Sequence, residues 1–296
     1  FGEPGELAVA WRVAMAQLVR KLAGDALAAQ YILMQIVSRA FGKHAEKPLG
    51  SWSLSLVKWP EATPVSGLSE ALAGLVPRAA HLKMSAAALN GQKWYPRKDF
   101  VANRLVAGQL QLAPGTLLLL DEVQMTEGQL TADGVKAIKA IGNLVTDSEL
   151  SCDYMYDVKL PLELTRTLVS STPRSIIKEV DVVVPLRPNA KNLQDAEASD
   201  PGVPDAARYL IALVTRMPRP LDVAENVAHQ FSEDFSAIRQ EFGVPPELCH
   251  TWLCLARAGC LWHGEKSLSL ERWQAVLQLE RERLQRCKDE GLLLKS

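Results

Sequence analysis

The run Leu117-Leu118-Leu119-Leu120-Asp121-Glu122 is the stretch of this chain whose residue types and spacing come closest to a catalytic site. Pro114-Gly115 precedes the apolar run and the two acids follow it, which is how a strand buried on both faces reads. A pair of carboxylates at such a strand end suits phosphate chemistry: the aspartate helps to hold magnesium, and the glutamate polarises water for attack on a terminal phosphate. Acids also follow buried strands simply because the chain is re-entering solvent. The chemistry needs a second part, a glycine-rich loop ending in Gly-Lys-Ser/Thr, whose backbone N–H groups and lysine wrap the phosphates. No such string occurs in the 296 residues.

The acid pair matches the Walker B pattern of nucleotide-hydrolysing P-loop proteins. The nearest approach to its partner loop is Gly24-Asp25-Ala26-Leu27-Ala28-Ala29-Gln30-Tyr31. This is similar to the Gly-Asp-Pro-x-x-Ala-Lys-Ser loop of the minichromosome-maintenance (MCM) helicases, with Gln30 in place of the phosphate lysine and Tyr31 in place of the magnesium-binding serine. The exchange removes a positive charge from beside the phosphates and puts a ring where the metal would sit. Gly24, Asp25, Gln30, Asp121 and Glu122 therefore define at most a vestigial nucleotide site, with no catalytic residue and no cofactor expected. On the plainer alternative, Gly24-Asp25 merely separates two helices, as a break and an N-cap.

Other chemistries find less support. No nucleophile–base pair stands out, and the five histidines show no HExxH or related metal spacing. Cys249, His250, Cys254, Cys260 and His263 cluster, but paired CxxC knuckles are absent and Trp252, Leu253, Leu255 and Leu261 between them look like the apolar face of a helix; no metal site is expected. Ser170, Ser171 and Thr172 read either as a polar sensor or as a strand end entering a turn at Pro173, and Arg174 receives no role. Five cysteines without close regular pairing argue against a disulfide framework and fit a reducing compartment.

Binding is better represented. Lys93-Trp94-Tyr95-Pro96-Arg97-Lys98 interleaves basic and aromatic residues, as single-strand nucleic-acid sites and hot spots of protein interfaces both do. A plain anchored loop explains the same string. Glu271 to Lys288 reads as an amphipathic helix capped by Ser269, with Trp273, Val276, Leu277 and Leu284 along its apolar stripe. That stripe either packs on its own domain or meets a partner. The candidate partner-binding residues are Lys93, Trp94, Tyr95, Arg97, Lys98 and Trp273.

The elements that would position these residues follow from periodicity. Residues 6 to 41 read as two helices broken at Gly24-Asp25. Strands are expected at 51–58, 81–85, 116–120, 153–160, 165–171 and 180–185, with helices at 68–75 and 131–145 and an amphipathic, possible helix at 99–109. Alternating helices and short apolar strands imply a three-layer α/β domain over residues 1–187. Pro188 to Pro204 lacks periodicity, is rich in turn formers, and is read as a linker. Helices at 205–216, 221–241, 245–262 and 269–290 make 205–296 a small all-α domain.

Hydrophobic residues make up 48% and charged residues 23%, close to soluble globular averages. The formal net charge of −1 gives the chain as a whole no electrostatic reason to bind DNA. No run of about 18 apolar residues occurs, so no membrane-spanning helix is expected. The chain opens on Phe1 rather than Met and is read as a fragment of a longer one.

Two stretches carry a family resemblance. Tyr95-Pro96-Arg97-Lys98-Asp99-Phe100-Val101-Ala102-Asn103-Arg104-Leu105 leads through Gly108-Gln109-Leu110 into the Asp-Glu run, followed by Gly128-Gln129-Leu130, Gly134-Val135 and Asn143-Leu144-Val145. Ser267-Leu268-Ser269-Leu270-Glu271-Arg272-Trp273 then opens a charged terminal helix. In this order the motifs resemble the carboxy-terminal part of the MCM-binding protein family, from about residue 20 to the end. The resemblance implies a nuclear protein that binds MCM helicase subunits without catalysis, acting in assembly or protection of the replicative helicase, in its unloading, and in sister-chromatid cohesion. It also implies a degenerate AAA+-like αβα module that lacks a working phosphate loop, followed by a lid-like helical domain. The alternatives are a divergent AAA+ ATPase and a DNA-binding replication factor; direct nucleic-acid binding and membrane association are not expected.

Overall fold

A computed structural model describes residues 4–40, 42–44, 47–125, 128–197, 205–216 and 222–293. The chain begins with two helices, α1 (Pro4–Lys21) and α2 (Ala26–Val37), and a small antiparallel pair, β1 (Gly42–His44) and β2 (Lys47–Leu49). It continues through β3 (Ser53–Val57), α3 (Val65–Leu75), β4 (Ala79–Lys83), α4 (Ala86–Gly91), β5 (Arg97–Asp99), β6 (Arg104–Val106), β7 (Leu117–Asp121) and α5 (Ala132–Asp147). The hairpin β8 (Glu149–Asp153) and β9 (Asp157–Pro161) precedes β10 (Thr165–Val169), β11 (Val182–Pro185) and α6 (Ala190–Glu197). The remainder is helical, α7 (Asp205–Arg216), α8 (Glu225–Phe242), α9 (Leu248–Trp262) and α10 (Leu270–Asp289), with the short strands β12 (Asp222–Val223) and β13 (Ser267–Leu268) pairing between them.

Five strands form a parallel sheet in the order β11-β3-β10-β7-β4. Side chains alternate between the faces of a strand, and the leucine run shows where they go. Leu117 and Leu119 enter a core shared with α2 and α3, while Leu118 and Leu120 enter a second core against α5. Burial on both faces explains the continuous apolar run. The expected α/β class is present, with helices on either side of a parallel sheet.

The second core is closed by an edge sheet, β6-β5-β8-β9, in which only the β5–β8 pairing is parallel. Two sequence expectations are corrected here. Residues 99–109 are not helical: the Asp99 carboxylate accepts the N–H groups of Val101 and Ala102, each at 3.0 Å, and Asn103 adopts a left-handed conformation (φ 45°), so the chain reverses between β5 and β6. Residues 153–160 are not one strand but the turn and second arm of the β8–β9 hairpin.

The stretch expected as a linker, 188–204, carries helix α6 in its described part, and the Arg20 Nε donates to the Ala196 carbonyl at 2.6 Å. The helices after it do not form a separate core. Trp252, Trp262 and Trp273 belong to the same buried cluster as α1 and α2. Trp11 and Trp262 meet edge to face at 5.0 Å, and the Trp262 indole donates to the Leu33 carbonyl at 2.9 Å. The amino-terminal helices are thus the floor on which the carboxy-terminal helices pack.

Candidate functional site

Ligands of open parallel sheets sit at the carboxyl ends of the strands, and Asp121 closes β7 at that end. Its Oδ2 lies 3.1 Å from the His81 Nε2 on neighbouring β4, and its Oδ1 accepts the Val123 N–H at 3.0 Å. The Glu122 N–H donates to the Val169 carbonyl at 2.8 Å, which holds this residue against β10. Its carboxylate accepts the Ser175 hydroxyl at 2.7 Å and the Ile176 N–H at 3.0 Å. Asp121 is 4% exposed and Glu122 3%. Burial pushes the Glu122 carboxyl above the ordinary range, against hydrogen bonds that lower it. The strand sets the acids side by side, and the protein's own donors then engage both.

At the same end of the sheet lies the loop after β3, residues 58–64, two strands from β7. Its first two N–H groups are already bonded. The Lys58 N–H donates to Thr172 O at 3.1 Å and the Trp59 N–H to Ser170 O at 2.9 Å, both on the loop after β10. Pro60 and Pro64 have no N–H to offer. The Trp59 ring is buried, and its indole donates to Thr63 O at 2.6 Å. Lys58, in a left-handed conformation (φ 59°), turns its ammonium to the Glu290 carboxylate just beyond α10, at 2.5 Å. A nucleotide phosphate needs free N–H groups and a cation here. These residues do not fit a bound nucleotide or its magnesium.

The segment Gly24 to Tyr31 lies elsewhere. It covers the break between α1 and α2 and the first turns of α2, and among the described residues no strand precedes it. Gly24 has φ 86°, and a Cβ there would stand 1.9 Å from the Asn189 carbonyl oxygen, so the glycine is set by a close backbone approach. Asp25 caps α2 through the Ala28 N–H at 3.2 Å; its other oxygen accepts the Arg187 N–H at 2.8 Å and the Arg286 guanidinium at 2.7 Å. That puts Asp25 beyond the end of β11, three strands from β7 in the sheet order, or about 14 Å at the usual strand spacing. Gln30 is half-buried on α2, and the Tyr31 hydroxyl donates to Glu280. Asp121 and Glu122 are brought together; Gly24, Asp25 and Gln30 do not join them. Gly24 is a helix break and Asp25 a cap.

The basic-aromatic string divides in the same way. Trp94 is 1% exposed and donates from its indole to Ala88 O at 2.9 Å; Tyr95 is buried beside it in the second core, which pushes its hydroxyl up. Trp273 is 0% exposed, its ring 4.6 Å from that of Phe231 and its indole 2.7 Å from the Asp234 carboxylate. The expectation that these three aromatics face a partner is corrected: each fills a core, and the indoles of Trp94 and Trp273 are hydrogen-bonded within it. Lys93, Arg97 and Lys98 reach the surface, and Arg97 faces Asp133 at 3.4 Å.

A surface missed in the sequence lies at the tips of the two edge-sheet hairpins. Phe100, Val101, Tyr154, Met155 and Tyr156 are exposed there, Val101 to 99%. Two signals were legible: Tyr-Met-Tyr held between Asp153 and Asp157, and Phe-Val directly after an aspartate able to form a turn.

Two buried polar centres hold the frame. Glu280 accepts the Tyr31 hydroxyl, the Trp252 indole at 2.6 Å and the Arg283 guanidinium at 2.6 and 3.0 Å, and Arg283 reaches on to Val183 O of β11 at 3.3 Å. Arg166 on β10 donates to Val145 O at 3.0 Å and to the Ser51 hydroxyl at 2.8 Å, and burial lowers its pKa. Cys254 and Cys260 sit in the packing of α9, where burial pushes their thiols up to about 11 and about 12.

Fold and site together define an α/β protein with a parallel sheet and an acid pair at a strand end, engaged by the protein's own donors. The chain belongs to the family described as Mini-chromosome maintenance replisome factor, whose model matches residues 6–287. It is similar to the Mini-chromosome maintenance complex-binding protein of Danio rerio, with 33% identity over 95% of this chain and 46% of the relative. Proteins of the same name from Arabidopsis thaliana and Homo sapiens are 31% and 30% identical, over 93% and 92% of this chain and 46% and 44% of theirs. The chain thus spans a little under half the length of these relatives.

Proposed function

We propose that this chain is a non-catalytic binding partner of MCM helicase subunits and acts in assembly, protection or unloading of the replicative helicase in the nucleus, with a bearing on sister-chromatid cohesion. The observation that carries the non-catalytic part is the loop after β3. The N–H groups of Lys58 and Trp59 are bonded to Thr172 and Ser170, the Trp59 ring is buried, and the loop's lysine turns to Glu290. The relatives' name, Mini-chromosome maintenance complex-binding protein, supports the partner.

On this reading the module is a degenerate AAA+-like one and the helical part lid-like. The strand order β11-β3-β10-β7-β4 and the acids ending β7 support that assignment. An inert module of such a shape would occupy the place of a helicase subunit without turning over nucleotide.

The test is capture of each purified helicase subunit, and of the assembled ring, by this chain with and without ATP. Selective capture of free subunits, indifferent to ATP, is expected. Magnesium-dependent turnover lost on Glu122→Gln would instead make the chain an ATPase.

A further inference from the structure

The exposed hairpin tips form one surface. β5 and β8 run parallel, with Arg97 beside Asp153, so the turns that follow these strands leave the edge sheet at the same end. The Lys98 ammonium links them, 5.5 Å from the Phe100 ring centre and 4.9 Å from that of Tyr154, and Tyr154 meets Tyr156 edge to face at 6.4 Å. The Asp99 carboxylate fixes the first turn through two N–H groups. Phe100, Val101, Leu105, Met155 and Tyr156 are left in water. Contiguous apolar surface on a folded protein marks an interaction site.

Charge narrows the occupant. The neighbouring acids are engaged: Asp99 with backbone, Asp133 with Arg97, Asp153 with Lys136 at 2.8 Å. Among the described residues, Lys98 and Arg104 form no ion pair. The complement is an apolar patch edged by carboxylates. Val101, Leu105 and Met155 have no ring for a base to stack on, and Lys98 already faces the Tyr154 ring, which favours a protein over a single-stranded nucleic acid.

We propose that the paired tips, with Phe100, Val101, Met155 and Tyr156 at the centre and Lys98 and Arg104 at the rim, dock an MCM helicase subunit through an apolar, acid-rimmed patch on that subunit. This rests on the partner named under the proposed function. Aromatic and methionine side chains at the centre and cations at the rim match the composition of protein interfaces.

The test compares the full chain with Val101→Ser/Met155→Ser/Tyr156→Ser and with Lys98→Glu/Arg104→Glu, after circular dichroism and thermal melting have established that all three fold alike. Binding to each purified subunit is followed by biolayer interferometry at low and high salt. The triple variant is expected to bind at least about tenfold more weakly, as removal of central interface residues does. The charge reversal is expected to slow association chiefly at low salt. Variants that bind as the parent does would overturn the docking surface and leave the partner standing. A parent chain that captures no subunit would remove the partner reading, and the proposal with it. Labelled oligo-dT bound by the parent and lost in the triple variant, with subunit binding unchanged, would assign the tips to nucleic acid and overturn the proposal.

Discussion

The Arg286 guanidinium lies 2.7 Å from the Asp25 carboxylate, an ion pair that joins the last helix to the cap of the second across 261 positions of sequence. Both side chains are largely buried, and Asp25 also caps α2 and receives the Arg187 N–H. This contact explains why an aspartate follows Gly24 without any nucleotide.

Asp25→Ala should destabilise the fold by about 3–5 kcal/mol, because it strands a buried guanidinium and removes a helix cap. Asp25→Asn, which keeps the cap, should cost less. Chemical denaturation of both variants checks the order; equal losses would mean that the ion pair, not the cap, dominates.

Glu280 gives a second test. Glu280→Leu leaves Arg283 buried without its carboxylate and should cost about 3–5 kcal/mol, whereas Glu280→Leu/Arg283→Met should recover much of that loss. A double variant no more stable than the single one would show that Tyr31 and Trp252, which also donate to Glu280, carry the effect.

Burial raises the Glu122 carboxyl in the folded state. Between the unfolded and folded pKa values the native chain holds more proton than the unfolded one, so this group's contribution to stability falls as pH rises through that window. Glu122→Gln cannot ionise. Melting of parent and variant from acid to neutral pH should show the variant gaining relative to the parent; a constant difference would contradict the burial effect.

Magnesium-ATP at millimolar concentration should not shift the melting temperature, since the loop after β3 has Trp59 buried in it and its Lys58 paired with Glu290. A rise abolished by Asp121→Asn would show a working site. Trp59→Ala should destabilise by about 3–5 kcal/mol through the cavity it leaves, and calorimetry should still detect no nucleotide binding.

Trp273→Ala should lower stability by about the same amount, as loss of a buried tryptophan does. Partner binding measured on the fraction that remains folded should be unaffected. A stable variant that no longer binds would return Trp273 to the interface.

Much of the fold was legible because its cues are local. The leucine run, the helix break at Gly24-Asp25 and the Ser269 cap depend on near neighbours, and the helices from 205 onward fall within a few residues of expectation. The turn after β5 was not, because the pattern of 99–109 fits a helix until the Asp99 carboxylate captures two N–H groups. The candidate site was only half legible: the acid pair stood out, while the tips were read as part of a helix and a strand.

The sequence by itself determined the strands of the parallel sheet, the carboxy-terminal helices, the acids ending a buried strand, the absence of a Gly-Lys-Ser/Thr loop and the family. Only the tertiary structure decided which loops stand beside those acids, since strand order rests on pairings between residues up to a hundred or more apart, such as Leu54 with Thr167. It also decided which aromatics face water. A tryptophan suits a core and an interface equally well, and the partners that bury Trp94 and Trp273, or leave Tyr156 exposed, come from other parts of the chain.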